Sequence, residues 1–85
     1  MHELGIATGV LDSVVEVASK QNVSRVKTID INVGKRAAII DEMFVEAFNA
    51  LKELEEYKLC SNAKINTKLI DGRDVYIDKI EVEEK

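Results

Sequence analysis

The segment RVKTIDINVG, residues 25–34, decides how the rest of the chain folds. Its side chains alternate, so that Ile29, Ile31 and Val33 share one face of an extended chain. Polar side chains occupy the other face, namely Thr28, Asp30 and Asn32. Such alternation is typical of a strand with one buried and one solvated face, and Gly34 closes it. The sequence therefore predicts a sheet that is covered on one side.

An amphipathic helix is predicted before this strand. Apolar residues recur at steps of three and four, while Asp12 and Glu16 face away from them. The buried stripe is expected to contain Leu4, Ala7, Leu11, Val14 and Ala18, widened by Val10 and Val17. We expect the helix to begin at Leu4 and to end near Asn22.

A second helix is predicted after the strand. Asp41 is expected to be its N-cap, with Ile40 and Val45 packed around it as a hydrophobic staple. The helix is expected to run to about Tyr57. Its buried stripe is predicted to consist of Phe44, Ala47, Phe48, Leu51 and Leu54.

Two further strands follow. The first alternates from Ala63 to Leu69, and the second runs from Arg73 to about Glu83. Asp71-Gly72 between them is typical of a tight hairpin turn. The predicted order is therefore helix, strand, helix, strand, strand. This order indicates a single α/β (α+β two-layer) domain, residues 1–85, with two helices packed on one face of a three-stranded mixed sheet.

The register of the last strand has two interpretations. A two-residue turn leaves Val75 and Ile77 on the polar face, although Ile80 and Val82 lie on the buried one. Either a bulge at residues 78–79 changes the phase, or Val75 and Ile77 form an exposed apolar patch for a partner. We favour the bulge.

The composition excludes several classes of function. A net charge of −4 without a basic patch argues against nucleic-acid binding. No apolar run is long enough to span a membrane and no leader is evident, so a cytoplasmic protein without membrane attachment is expected. An enzyme is poorly supported, because Cys60 and His2 lie far apart and none of the 16 acidic residues is marked as a catalytic pair.

Two further groups of residues have ordinary interpretations. Cys60 is the only cysteine, so it is expected to be a small buried residue near a strand rather than a bridge between chains or a metal-recruiting thiol. Glu53, Glu55 and Glu56 are expected to form a solvated face near a helix end, although carboxylates of this kind also bind hard cations.

The first three residues, Met1, His2 and Glu3, carry the strongest chemical signal. The free amine of Met1, the amide and imidazole of His2 and the amide of Glu3 lie within a few bonds of one another. Four nitrogens in one plane suit Ni(II) or Cu(II). The alternative is an ordinary chain start, in which His2 is solvated and Glu3 favours the first helical turn.

Three segments resemble the family of the hydrogenase nickel-maturation chaperone HypA. They are MHELGIA at residues 1–7, VKTIDINVG at residues 26–34 and GRDVYIDKIEV at residues 72–82. The resemblance implies that Met1, His2 and Glu3 supply the nickel ligands. It also implies a cytoplasmic metallochaperone whose cargo is Ni(II). Its implied partners are the large subunit of NiFe hydrogenase, in some members urease, and a nickel-binding GTPase chaperone.

The chain departs from the family at one point. The family inserts a zinc ribbon with two CxxC motifs between its last two strands, where this chain has only Asp71-Gly72. With a single cysteine, zinc is not expected here. Either a naturally reduced relative or an engineered removal of the ribbon explains the difference.

A different class of function remains open beside nickel handling. The fold is also compatible with a structural or interaction domain that has lost the metal role. In that case Val75, Ile77 and the outer sheet edge would form a surface for self-association as a homodimer.

Overall fold

The computed structural model describes residues 3–85 and confirms the predicted class and order of elements. The two helices are α1 (Glu3–Ser19) and α2 (Asp41–Leu51), and a short 3-10 helix follows at Glu55–Cys60. The strands are β1 (Val23–Gly34), β2 (Lys64–Ile70) and β3 (Val75–Glu84). Among the described residues, no helix has the length and apolar character needed to cross a membrane.

β1 is the central strand of the sheet, whose order is β2-β1-β3. It pairs in parallel with β2 and antiparallel with β3. Ile29, Ile31 and Val33 are buried on the face that both helices cover, as the alternation predicted. α1 packs over β1 and β3, and α2 packs against α1 and β2. The opposite face of the sheet is open to solvent, which explains its polar side chains.

The predicted hairpin at Asp71-Gly72 is wrong. β2 and β3 lie on opposite sides of β1, so residues 71–74 cross the end of β1 instead of joining two paired neighbours. The Gly34 amide donates to the carbonyl of Asp74, and the Arg36 amide donates to the carbonyl of Gly72, both at 2.8 Å. The turn signal correctly marks a reversal of direction. It does not specify the pairing partner of the strand on either side of the turn. Here both strands pair with β1.

Gly34 permits this crossing because the two chain segments nearly touch. A Cβ atom at Gly34 would lie 2.5 Å from the carbonyl oxygen of Gly72. Gly72 itself has a φ of +102°, a conformation that side chains disfavour. Both glycines are therefore required by the crossing rather than by a hairpin.

The bulge in β3 is present where the phase change predicted it. Lys79 pairs with Asp30 and Ile77 pairs with Ile31, so Asp78 is an extra residue in the strand. The extra residue returns Val75 and Ile77 to the helix-covered face. Both are half-buried against the core.

α2 begins and ends differently from the prediction. Its N-cap is Ile40, not Asp41, and no side chain of the cap residue makes a capping hydrogen bond. Asp41 instead accepts a hydrogen bond from the Thr67 hydroxyl at 2.7 Å. The α-helix stops at Leu51, and the following turn lets Tyr57 reach α1, where its hydroxyl donates to Asp12.

Some residues of the predicted apolar stripes are exposed. Leu4 and Val17 lie on α1 outside the contact with the sheet, and Leu54 lies beyond the end of α2. Leu69 pairs with the buried Val33, yet it is 64% exposed because it lies near the end of an edge strand. Helical or strand periodicity marks the inner face, but the length of the covering element decides how far burial extends.

Candidate functional site

The candidate site is the beginning of the chain, where the structure describes only one of the three predicted residues. Met1 and His2 lie outside the described residues. Glu3 is the first residue of α1, and it is half-buried. The proposed metal ligands of Met1 and His2 therefore remain a prediction, and the surroundings of Glu3 define the setting of the site.

The Glu3 side chain links α1 to the start of α2. Its Oε2 atom accepts a hydrogen bond from the backbone amide of Ile40 at 3.0 Å. The Ile40 amide belongs to the N-cap residue of α2. In many helices a glutamate of the first turn accepts the hydrogen bond of this amide, whereas here a carboxylate from another helix accepts it. This contact places the N-termini of the two helices side by side.

Asp41 extends this connection to the sheet. Its Oδ1 atom accepts the Thr67 hydroxyl, which belongs to β2. Glu3, Ile40, Asp41 and Thr67 thus join both helix starts to one edge of the sheet. The first turn of α1 is consequently anchored to α2 and, through α2, to the sheet.

The electrostatics at this end favour anionic groups close to the helix starts. Glu3 lies in the first turn of α1, and Asp41 and Glu42 lie in the first turn of α2. The N-terminal end of a helix carries a partial positive charge, which stabilises such carboxylates. The same charge disfavours a bare metal cation. Ligands that lose protons, such as backbone amides, would offset this effect.

The described residues do not by themselves form a metal centre. Within residues 3–85, no three His, Cys, Asp or Glu side chains are arranged to hold an ion. Glu53, Glu55 and Glu56 are all exposed, as expected of a solvated face.

Cys60 is completely buried, which confirms the expectation of a small core residue. Burial raises the pKa of its thiol to about 11, against a smaller opposing influence of the Lys52 charge. The thiolate needed for metal binding or disulfide exchange is therefore disfavoured at neutral pH.

The sequence did not reveal two long-range contacts. One is the bond between Glu3 and Ile40, and the other joins the Tyr57 hydroxyl to Asp12 Oδ1 at 2.6 Å. The hydrogen bond to Asp12, together with burial, raises the pKa of Tyr57 to about 12. Both partners of each pair are distant in sequence, so no local pattern indicates them.

The described residues form a two-layer α/β domain in which the first turn of α1 lies beside the start of α2. A family model described as HypA, hydrogenase/urease nickel incorporation, metallochaperone, matches residues 1–73. The chain therefore belongs to the HypA family of nickel metallochaperones.

Individual relatives agree with this assignment. The hydrogenase maturation factor HypA of Methanococcus vannielii is 36% identical over 75 residues, covering 82% of this chain and 58% of the relative. The HypA of Chlorobaculum parvum is 30% identical over 81 residues, covering 95% of this chain and 60% of the relative. The chain thus spans about 60% of the length of these relatives.

A solved structure supports the fold. The solution structure of the Ni metallochaperone HypA from Helicobacter pylori superposes with a TM-score of 0.73 at 18% identity. The match covers 98% of this chain and 87% of that one. A second solution structure of a HypA protein gives a TM-score of 0.68 at 17% identity.

Proposed function

We propose that this chain binds Ni(II) at its N-terminus and hands it on during the maturation of a nickel enzyme. The ligands would be the amine of Met1, the amide and imidazole of His2 and the amide of Glu3. The observation that carries the proposal is the anchored first turn of α1, which the Glu3 carboxylate ties to Ile40. Family membership supplies the choice of nickel as cargo.

The start of α1 at Glu3 suits deprotonated amide ligands. The first four amides of a helix lie outside its intrahelical hydrogen-bond ladder. The amide of Glu3 can therefore lose its proton to a metal without opening the helix. Four nitrogens in one plane match the square-planar preference of Ni(II), and Cu(II) shares this preference.

The recipients are part of the same proposal. The family description supports a hydrogenase or a urease as recipient. The resemblance further implies the large subunit of NiFe hydrogenase and a nickel-binding GTPase as helper. The chain would act in the cytoplasm as a carrier and not as an enzyme. Zinc is not expected to bind, because the family's ribbon needs cysteines that a chain with one cysteine lacks.

A comparison of the wild-type chain with His2→Ala tests the proposed ligands. Titration of Ni(II) into untagged protein beginning at Met1 should show one ion per chain and an absorption band of square-planar nickel. His2→Ala should weaken binding at least about a hundredfold, because the imidazole, one of the four nitrogen ligands, is lost. Equal binding by the two proteins would exclude the terminal site.

Self-association is the second candidate function. The sheet order leaves β2 and β3 as edge strands, and β3 is 10 residues long with one side unpaired among the described residues. Val75 and Ile77 border a groove between β3 and α1 that also includes Ile6 and Val10. Sedimentation at micromolar concentration distinguishes the candidates, since a strict monomer contradicts the dimer.

A further inference from the structure

The charged residues of the two helices are all acidic. α1 contains Glu3, Asp12 and Glu16, α2 contains Asp41, Glu42 and Glu46, and neither helix contains Lys or Arg. The whole chain has 12 Lys and Arg residues, so every one of them lies elsewhere. Charge is therefore divided between the helices and the rest of the molecule.

An apolar groove opens in this acidic surface close to the beginning of the chain. Leu4 on α1 is 56% exposed and Met43 on α2 is 50% exposed. Both line the groove together with Ala47, and Glu3 and Glu46 border it. On the far side of Glu46, a second depression is lined by Asp41, Glu42 and Val45. We call these two depressions together the acidic groove.

The three acidic residues of α2 take part in no ion pair of the described residues. The lysines that follow the helices are engaged elsewhere. Lys20 pairs with Glu16, and Lys52 donates to the carbonyl of Ala63. The acidic groove thus combines exposed apolar side chains with the α2 carboxylates of Asp41, Glu42 and Glu46, which form no ion pair within residues 3–85.

We propose that the acidic groove docks a basic amphipathic segment of another protein. An apolar side chain of that segment would lie between Leu4 and Met43, and flanking Lys or Arg residues would approach Glu42 and Glu46. Charge complementarity selects this partner, because the same carboxylates repel nucleic acids and anionic membranes. The apolar centre supplies contact area that a purely ionic encounter lacks.

The position of the acidic groove connects docking with metal transfer. Glu3 belongs both to the groove and to the N-terminal motif, so a docked segment would lie beside the residue whose amide is one of the proposed nickel ligands. In this respect the inference rests on the proposed function. Docking itself needs no metal, and the test below uses metal-free protein. Its failure would leave nickel binding untouched.

Two synthetic helical peptides provide the probe. The first has Leu at every third or fourth position with Lys between, and the second has Glu in place of each Lys. With isotope-labelled, metal-free chain, the Lys peptide should shift the amide resonances of Leu4, Met43, Glu46 and Ala47. Its affinity should fall as salt is added. The Glu peptide should bind at least about tenfold more weakly.

Matched variants separate the acidic groove from acidity in general. Glu46→Lys and Met43→Ser should each weaken binding of the Lys peptide about fivefold to tenfold. Glu55→Lys and Leu54→Ser make the same chemical changes at exposed positions outside the groove and should alter it less than about twofold. All four residues are exposed, so each variant should retain the wild-type spectrum elsewhere.

Three outcomes would overturn the proposal. The first is equal weakening by Glu46→Lys and Glu55→Lys, and the second is equal affinity for the Lys and Glu peptides. The third is a homodimer of the free chain that Met43→Ser dissociates, since a second copy would then occupy the acidic groove.

Discussion

Glu3 shows how much a single residue contributes to this domain. As part of the terminal motif it contributes an amide to the proposed site. As a side chain it accepts a hydrogen bond from the Ile40 amide and so connects the starts of the two helices. A residue that looks like a favourable first-turn acid in the sequence is therefore also a tertiary contact.

Replacement of Glu3 tests this contact. Glu3→Ala should lower the free energy of unfolding by about 1 kcal/mol, because the Ile40 amide loses its acceptor. Glu3→Gln should lower the free energy of unfolding clearly less than Glu3→Ala. It removes the same charge but retains a carbonyl oxygen that can accept the hydrogen bond. Urea denaturation measures the difference, and hydrogen exchange locates it. An unchanged exchange rate of the Ile40 amide in Glu3→Ala would contradict the assignment.

Tyr57 gives the protein a predictable response to alkaline pH. Its pKa is raised to about 12 in the folded chain, mainly by the hydrogen bond to Asp12, whereas the unfolded value is about 10. The contribution of this bond is therefore complete below pH 10. It declines as the unfolded tyrosine ionises and is lost as pH rises through about 12.

The variant Tyr57→Phe isolates this effect. Below pH 10 it should be less stable than wild type by about 1 kcal/mol, because Asp12 loses its donor. From pH 10 to 12 the difference in the free energy of unfolding between the two proteins should become smaller. Urea denaturation at several pH values measures it, with Tyr76→Phe as a control at an exposed tyrosine. A gap that stays constant over this range would show that Tyr57 keeps an ordinary pKa.

At the scale of elements, the inner faces could be predicted from the sequence and the pairing of strands could not. Alternation in β1 identified its buried residues, and the mismatch in β3 identified the bulge, because both follow from the period of the strand. The predicted pairing of β2 with β3 was wrong, because β1 lies between them. A turn motif is local, whereas strand order depends on which surface β1 offers to each partner.

The crossing at the end of β1 yields a matched pair of glycine substitutions. Gly34→Ala should destabilise the fold by at least about 2 kcal/mol, because the new Cβ would meet the Gly72 carbonyl at 2.5 Å. Gly9→Ala adds to α1 a Cβ that meets no atom beyond the nearby backbone of the helix within 4 Å. This substitution should stabilise the fold by about 0.5–1 kcal/mol, because alanine favours the helix. Thermal denaturation compares them. Equal changes of the melting temperature in the same direction for both variants would disprove the tight crossing.

At the scale of the whole molecule, the crossing and the chain beginning are linked by one short segment. Residues 35–40 start beside the crossing, where the Lys35 amide donates to the Ile70 carbonyl, and end at the Ile40 amide held by Glu3. The resemblance predicted that an inserted segment is missing at residues 71–72. In the described structure residues 71–74 alone connect β2 to β3.

The candidate site itself could be predicted only in part. The nitrogens of the first three residues indicated a site for Ni(II) or Cu(II), and the choice of nickel came from the resemblance to the family. The family is confirmed, whereas the ligands remain a prediction. The anchoring of Glu3 and the acidic groove depend on contacts between α1 and α2, which are separated by more than 20 residues. No periodicity within either helix encodes such contacts.

The central claim is that the free amine of Met1 binds nickel, and blocking that amine tests it most directly. The chain beginning at Met1 should be compared, by Ni(II) titration with visible absorption, with the same chain extended by a few residues before Met1. Residues 1–85 are the same in both proteins, so with an extension that carries no metal-binding side chain the comparison isolates the amine of Met1. The account predicts one nickel ion per chain in the first protein and at least about a hundredfold weaker binding in the second. Equal affinity and an unchanged absorption band in the extended protein would contradict it.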